Sequence, residues 1–180
     1  MPLPCLLALQ DVLLSSKIAP FLDQIFPQPS GVWFGAKPRT QTLDIAHGLS
    51  TVIEKSLDLK SEGAIGQADI RQFYDSNSLI RVFEYLLDKG LPHNLAAACI
   101  RHQMFPKLYI HVGGITVPVG NRSLGSLTGS RLAGVAARVP VEQTCCERVR
   151  LWRKWGFRTR RGVLTMSTYV DNLFVAGRSV

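Results

Sequence analysis

Apolar residues recur at three- and four-residue steps in several parts of the chain, which is the period of an amphipathic helix. The longest such pattern runs from Thr42 to Lys60 and is ended by Gly63. Similar patterns predict further helices near residues 5–16 and over 76–90, 92–104 and 130–137. The proline-rich segment after the first helix, to about Arg39, is expected to be irregular.

Strand patterns are interspersed with these helices. The short apolar segment 64–70 suits a buried strand. Segments 108–112 and 115–119 flank Gly113-Gly114 and predict a hairpin, and segments 164–169 and 173–176 predict a second hairpin with Asp171 near its tip. Helices mixed with antiparallel hairpins predict an α+β fold, with a sheet that helices cover on one face.

The composition fits one compact domain whose own surface is basic and could bind a partner. The chain has 180 residues, of which 46% are hydrophobic and 19% charged, and its net charge is +8. Residues 1–90 carry a net charge of −2 and residues 91–180 a net charge of +10. Such an excess in one half favours a polyanionic partner there, such as a nucleic acid.

Membrane, secreted and zinc-binding classes are disfavoured. We find no apolar run near the roughly 20 residues that cross a bilayer and no basic leader, so we expect an intracellular protein, nuclear or cytoplasmic, without a membrane partner. The four cysteines form no Cys-x-x-Cys pair, which favours a reducing compartment. Cys99 and His102 form a Cys-x-x-His step without a second pair, so we interpret them as buried helix residues.

Two aspartates carry the main chemical hypothesis. Asp69 ends the 64–70 strand and Asp171 lies in the second hairpin, 102 positions later. If the two strands pair, the carboxylates can share two magnesium ions about 3.5–4 Å apart, which is the arrangement that nucleotidyl transfer needs. For either aspartate alone, a strand-end or turn residue hydrogen-bonded to the backbone is the favoured alternative.

Four sequence blocks, in order, resemble a known family. Their sequences are Gly-Ala-Lys-Pro-Arg-Thr-Gln-Thr-Leu-Asp at 35–44, Ala-Asp-Ile-Arg-Gln-Phe-Tyr-Asp at 68–75, Gly-Ser-Leu-Thr-Gly-Ser-Arg at 125–131 and Tyr-Val-Asp-Asn-Leu-Phe-Val-Ala-Gly at 169–177. They resemble the fingers segment and motifs A, B and C of reverse transcriptases of the non-LTR retrotransposon and group II intron type. The resemblance spans most of residues 35–177.

This resemblance implies roles for individual residues. Asp69 and Asp171 would be the catalytic metal ligands, and the carbonyl of Ile70 would add a third ligand. Tyr74 would be the steric gate that selects deoxynucleotides, with a core tyrosine as the alternative. Gly125 would let the backbone approach template and incoming nucleotide because it has no side chain, with an ordinary loop glycine as the alternative.

The chain departs from the family pattern at two places. Asn172 stands where motif C has its second aspartate, which removes one negative charge near the metals. Tyr169, at the start of the motif C block, follows the family pattern and would pack beneath the primer end. In the fingers block, Lys37 replaces an arginine and Arg39 is shifted by one position. The sequence leaves open which of these two cations contacts the triphosphate, and a solvated surface pair is an equal alternative.

A basic stretch precedes motif C. Residues 148–161 contain three aromatic residues and seven cations without an acidic residue. These cations are Arg148, Arg150, Arg153, Lys154, Arg158, Arg160 and Arg161. We expect the cations to contact phosphates, with a solvated basic loop as the alternative, and we expect Trp152 and Trp155 to pack on the domain.

The resemblance implies an RNA-directed DNA polymerase fragment. Residues 1–63 would be an N-terminal segment and partial fingers, and residues 64–180 a palm truncated after motif C, without a thumb. Such an enzyme would use two Mg²⁺ or Mn²⁺ ions, an RNA template, a DNA primer and dNTPs. The alternatives are an inactive relic that only binds nucleic acid and, last, a basic α+β domain whose motif matches are accidental; the oligomeric state stays open.

Overall fold

The computed structural model describes residues 5–27, 32–34, 41–60, 62–120, 124–159, 162–169 and 171–178. Six helices lie within these ranges: α1 (Cys5–Ile25), α2 (Thr42–Asp58), α3 (Phe73–Ser76), α4 (Leu79–Asp88), α5 (His93–Met104) and α6 (Arg131–Trp152). The strands are β1 (Val32–Phe34), β2 (Gly63–Asp69), β3 (Leu108–Val112), β4 (Ile115–Gly120), β5 (Phe157–Thr159), β6 (Gly162–Leu164), β7 (Met166–Tyr169) and β8 (Asn172–Arg178). The predicted α+β class is confirmed.

The chain forms two compact units, each built from two stretches of sequence. The first unit comprises Met1–Ile25 and Gln72–Val139, and the second comprises Phe26–Arg71 and Pro140–Val180. The predicted division into fingers over 1–63 and palm over 64–180 is a functional division and stays a prediction.

Most helix predictions agree with the structure, but two helices are longer than expected. Helix α1 continues to Ile25 instead of ending near residue 16, and α6 continues to Trp152 instead of ending at Ala137. Helix α1 contains Pro20, and helix α6 contains Pro140. Because proline removes one backbone hydrogen bond, its presence weakened the sequence pattern without ending either helix.

Helix α1 also corrects the expectation that no apolar run approaches membrane-spanning length. It is the one helix of the described ranges that is long and apolar enough to cross a membrane by length and composition. Core helices of soluble proteins and signal sequences pass the same test, and 28% of its most apolar stretch is buried inside the fold. The charged residues Asp11, Lys17 and Asp23 divide this run in the sequence.

Asp11 of α1 binds the N-terminus of α6 within the first unit. Its carboxylate accepts hydrogen bonds from the backbone N–H of Arg131 at 2.6 Å, from that of Leu132 at 3.3 Å and from the Ser130 hydroxyl. His102 Nε2 lies 3.0 Å from the same carboxylate. The first N–H groups of a helix have no partner within the helix, so a buried carboxylate from another helix satisfies them and complements the helix dipole.

Gln103 of α5 extends this network to the loop before α6. Its side-chain amide donates to Ser130 Oγ at 2.7 Å, and its carbonyl oxygen accepts the Leu127 N–H at 2.8 Å. Ser130 Oγ also accepts the Ala133 N–H at 3.1 Å, which is the bond of a serine N-cap. The network, defined here as Asp11, His102, Gln103 and Ser130, is fully buried or nearly so. It fixes where the loop 124–130 enters α6.

The predicted burial of Cys99 and His102 is confirmed, since both side chains are buried. Burial raises the pKa of the Cys99 thiol to about 12, and the neighbouring Asp11 carboxylate adds to the shift. The thiol is therefore protonated at neutral pH, as is usual for a cysteine buried in apolar surroundings. His111, the third residue near this step, is exposed and lies 2.9 Å from Thr116 Oγ1.

A four-stranded mixed sheet forms the centre of the second unit, in the order β1-β7-β8-β2. The predicted hairpin near the C-terminus is β7–β8, whose register pairs Tyr169 with Asn172. Strand β2 pairs antiparallel with β8 along its whole length. Strand β1, in a segment expected to be irregular, pairs in parallel with β7.

Helices α2 and α6 pack on this sheet. Cys145 and Val149 of α6 are buried with Met166 of β7, and Val52 of α2 is buried with Ala176 of β8. Burial, followed by the Cys146 thiol and the Glu142 carboxylate, raises the pKa of Cys145 to about 11.

The prediction that the 64–70 strand is buried is wrong. Every residue of β2 is exposed, and the strand lies at the edge of the sheet, next to β8 alone. Two glycines and two alanines contribute little apolar area to it. Its short apolar pattern therefore reflects small residues at a sheet edge, and the backbone pairing with β8 holds it in place.

The hairpin around Gly113-Gly114 is confirmed as β3–β4. It forms a separate two-stranded sheet, and all but its first residue are exposed. Both glycines have positive φ, at 58° and 81°, as a tight two-residue turn requires.

Asp11→Ala tests the buried network. We expect the free energy of unfolding to fall by about 3 kcal/mol, because the variant leaves buried donors on α5 and α6 without their acceptor. Asp11→Asn, which keeps one acceptor oxygen, should lose less. Urea unfolding followed by circular dichroism measures both.

Asp88→Ala, which removes an exposed carboxylate at the end of α4, is the control, with an expected change within about 0.5 kcal/mol. Equal stability of the Asp11→Ala and Asp88→Ala variants would contradict a stabilising role for the network.

Candidate active site

Asp69 and Asp171 come together where β2 meets the β7–β8 turn. Asp69 lies opposite Asn172 in the antiparallel register, and the N–H of Ile70 donates to the carbonyl of Asp171 at 2.9 Å. Two residues that are 102 positions apart in sequence therefore lie at adjacent backbone positions. The sequence analysis made the meeting of the two carboxylates conditional on strand pairing; the backbone pairing is present, and the sharing of ions stays a prediction.

Side-chain hydrogen bonds connect the neighbours of these aspartates. The Asn172 amide donates from Nδ2 to Asp171 Oδ1 at 3.1 Å, and its Oδ1 accepts from Gln67 Nε2 at 3.3 Å. Asp69 is exposed, whereas Asp171 and Asn172 are half-buried. The asparagine that replaces the second motif C aspartate is thus a donor to the first.

Gln67 was missed by the sequence analysis. It lies two residues before Asp69, and strand alternation places both side chains on the face of β2 that carries Asn172 on β8. The sequence does show that Gln67 lies two positions from Asp69 and so shares its face of the strand. That this face also carries Asn172 follows only from the register with β8.

The donor set around Asp69 suits a hard cation. Two carboxylates and the Ile70 carbonyl offer only oxygen, the element that Mg²⁺ and Mn²⁺ prefer, and Mg²⁺ is commonly held by one or two carboxylates together with substrate phosphates. Within the described ranges no group of three or more His, Cys, Asp or Glu residues could hold a metal ion. The metal assignment to Asp69, Ile70 and Asp171 therefore stays a prediction.

Tyr74 and Gly125 meet within the first unit. The carbonyl of Tyr74 accepts the N–H of Ser126 at 2.9 Å, and the N–H of Gly125 donates to the carbonyl of Asn77 at 3.1 Å. Gly125 has φ +79°, and a Cβ on it would lie 2.8 Å from Asp75 Cα. The motif B-like loop thus lies directly on the end of the motif A block, and only glycine fits there.

The Tyr74 ring also contacts its neighbour in sequence. It is half-buried and contacts the buried Phe73 ring edge-on, with centroids 5.3 Å apart. Its role towards a nucleotide stays a prediction.

The predicted cations fall into two groups. Arg148, Arg150, Arg153, Lys154 and Arg158 are all exposed, along the end of α6 and the turn into β5. Arg160, Arg161, Lys37 and Arg39 lie outside the described residues.

The two tryptophans of the basic stretch differ. Trp152 packs partly buried against the cluster of Cys145, Val149 and Met166, as predicted. Trp155 is 44% exposed, so the expectation that it packs on the domain is wrong. The helix turn that separates the two residues directs one ring to the core and leaves the other in solvent.

The structure thus gathers the candidate residues at two places. The second unit holds Asp69, Ile70, Tyr169, Asp171 and Asn172 around the β7–β8 turn. Tyr169 is 38% exposed at the end of β7. The first unit holds Tyr74 and Gly125 in contact.

This architecture has a counterpart among solved structures. A structure of telomerase from Candida albicans, in complex with a TWJ fragment of telomeric RNA, aligns with 96% of this chain at a TM-score of 0.60 and 12% sequence identity. The fold is similar to part of telomerase. The chain spans 30% of that telomerase chain. No family model and no curated protein matches the sequence.

Gly125→Ala tests the contact between loop and gate segment. We expect the free energy of unfolding to fall by about 3 kcal/mol, because the methyl group meets backbone atoms and the left-handed φ is unfavourable for alanine. Gly129→Ala is a matched control, since Gly129 has φ +90° and no atom within 4 Å of its Cβ position. It should lose only about 1 kcal/mol. Equal losses in chemical denaturation would argue against the close approach.

Proposed function

We propose that this chain is the nucleotide-adding part of a reverse transcriptase-like polymerase. The observation that carries the proposal is the pairing of β2 with β8, which brings Asp69 to Asp171. The similarity of the fold to telomerase, a reverse transcriptase-related enzyme, supports it. The reaction would be the attack of a primer 3′-hydroxyl on a dNTP, with loss of pyrophosphate.

Metal ions fit this proposal through the oxygen ligands described above. Asp69, Asp171 and the Ile70 carbonyl would hold Mg²⁺ or Mn²⁺ together with the phosphates of the nucleotide. Bound ions would lower the pKa of the attacking hydroxyl and neutralise charge on the departing pyrophosphate. The carboxylates position the reaction because the paired strands that carry them are fixed in register.

Residues of the gate segment and the fingers would choose and hold the nucleotide. We assign Tyr74 to exclusion of the 2′-hydroxyl, because its ring is half-buried and its carbonyl is bonded to the motif B-like loop. Lys37 and Arg39 are the candidate triphosphate contacts by sequence resemblance.

The proposed macromolecular partners are an RNA template and a DNA primer. The similar telomerase structure is a complex with a fragment of telomeric RNA, and this chain exposes five cations between Arg148 and Arg158. Exposed cations in a stretch without acidic residues bind phosphates and make affinity fall with salt.

A second candidate is a nucleic-acid-binding protein without polymerase activity. The hydrogen bond from Asn172 to Asp171 favours it, because the amide uses one carboxylate oxygen and supplies no charge for a second ion. This candidate shares the fold and the basic surface and differs only in the reaction.

Primer extension tests the reaction. With an RNA template, a DNA primer, dNTPs and Mg²⁺ or Mn²⁺, we expect the unmodified chain to extend the primer. Asp171→Asn should reduce the rate at least about 100-fold, since it removes a charged metal ligand. Asp58→Asn changes an exposed carboxylate at the end of α2 in the same unit and should leave the rate unchanged.

The outcomes separate the two candidates. Extension that survives Asp171→Asn contradicts the site assignment. Binding of template and primer without extension by the unmodified chain supports the second candidate.

Asn172→Asp tests the proposed ion-binding site without relying on activity. Two adjacent carboxylates repel one another, so we expect the variant in EDTA to melt about 2 °C below the unmodified chain. Mg²⁺ at millimolar concentration should raise its Tm more than that of the unmodified chain, because binding to the folded state stabilises it. Asp171→Asn should show the smallest Mg²⁺ response in differential scanning fluorimetry. Equal Mg²⁺ responses in all three proteins would contradict ion binding at this place.

A further inference from the structure

Trp155 lies exposed in the turn between α6 and β5, within the basic stretch. Its side chain is 44% exposed, whereas Trp152, one helical turn earlier, packs against the core. Exposure of a large aromatic ring to water is unfavourable, so covering it with the flat apolar surface of a partner would be favourable.

The backbone around Trp155 is fixed on both sides. Its N–H donates to the carbonyl of Trp152 at 2.9 Å, and its carbonyl accepts the N–H of Arg178 from β8 at 3.0 Å. Gly156 follows in a tightly packed turn, where a Cβ would lie 2.9 Å from the Leu164 carbonyl. The ring is therefore presented from a rigid frame, which reduces the entropy lost when a ligand binds.

One cation lies against this ring, and others are close to it in the chain. Lys154 Nζ lies 5.0 Å from the centroid of the Trp155 ring, and a guanidinium nitrogen of Arg178 lies 3.5 Å from the Lys154 carbonyl. Arg153 and Arg158 are exposed on either side in sequence. Among the residues that the structure describes, none of these four cations forms an ion pair. Arg153, Lys154 and Arg158 are also exposed to solvent.

We propose that Trp155 stacks on an unpaired base of single-stranded nucleic acid while Arg153, Lys154 and Arg158 contact its phosphates. A flat aromatic surface beside uncompensated cations suits a polynucleotide with splayed bases, since every base has a π face. A duplex hides these faces in its own stack. The inference deepens the nucleic-acid binding of the proposed function and is independent of the reaction at Asp69 and Asp171.

Binding of fluorescein-labelled 12-nucleotide U and dT strands, measured by anisotropy in EDTA, tests the inference. Trp155→Ala should weaken binding of the full chain by about 5- to 100-fold, the range expected for loss of one stacked base. Trp155→Phe, which keeps a ring, should lose less. Leu151→Ala is the matched control, because it truncates another exposed apolar side chain four residues away and should bind within twofold of the unmodified chain.

Substituted strands separate stacking from loss of structure. A strand with abasic sites should bind the unmodified chain more weakly than the intact strand, and Trp155→Ala should bind both strands equally. Lys154→Ala should reduce the slope of log K against log salt by about 0.7, as expected for one phosphate contact on a single strand, whereas Trp155→Ala should leave that slope unchanged.

Three outcomes would overturn the proposal. The first is that Trp155→Ala binds the strands within twofold of the unmodified chain. The others are that Trp155→Ala weakens binding of abasic strands, or of a blunt duplex, as much as it weakens binding of intact single strands. The comparison of U with dT strands reports whether the site prefers RNA or DNA. Strand binding is measured in EDTA and primer extension with Mg²⁺, so failure of polymerisation and failure of this site give different results.

Discussion

The antiparallel pairing of β2 with β8 is the constraint on which the candidate site depends. It joins two strands separated by most of the sequence between motif A and motif C, and it places Asp69 opposite Asn172, with Ile70 bonded to Asp171. A shift of one residue in this register would turn Asp69 to the other face of β2 and break its relation to the hairpin. Because β2 is exposed along its length, backbone hydrogen bonds carry this register more than burial does. The chemistry proposed for the site thus rests on main-chain geometry at a sheet edge.

A second set of constraints acts inside the first unit, where Asp11 and Gln103 fix the start of α6 and the loop before it. The same loop carries Gly125, whose close approach to Asp75 admits no side chain. A residue in the first helix, outside every block that resembles the polymerase family, therefore helps to position the motif B-like loop. Buried carboxylates cost solvation energy, and this one is compensated by donors from α5, from the loop and from the α6 backbone.

How much could be predicted from the sequence follows from the range of the interactions involved. Helices α4 and α5 depend on local periodicity and the β3–β4 hairpin on a Gly-Gly turn, and their predicted positions agree closely with the structure. The lengths of α1 and α6 were underestimated because tertiary packing carries both through a proline. The burial of β2, the exposure of Trp155 and the roles of Asp11 and Gln67 depend on partners far away in sequence, which no local pattern contains. The meeting of Asp69 with the segment around Asp171 was proposed from two strand patterns far apart in sequence, and the resemblance of two local motifs to those of one family supported it.

Asn172 lowers the electrostatic repulsion at the junction of β2 with the β7–β8 turn, because an amide stands there in place of a carboxylate. Adjacent carboxylates at a sheet edge repel one another unless a cation lies between them, so a site with three of them depends on bound metal for part of its stability. An amide at position 172 instead donates to Asp171 and accepts from Gln67, which joins the two strands by neutral hydrogen bonds. These bonds hold the strand junction without the repulsion that a third carboxylate would add. The amide at position 172 therefore lets the junction of β2 with the β7–β8 turn be stabilised by its own side-chain hydrogen bonds.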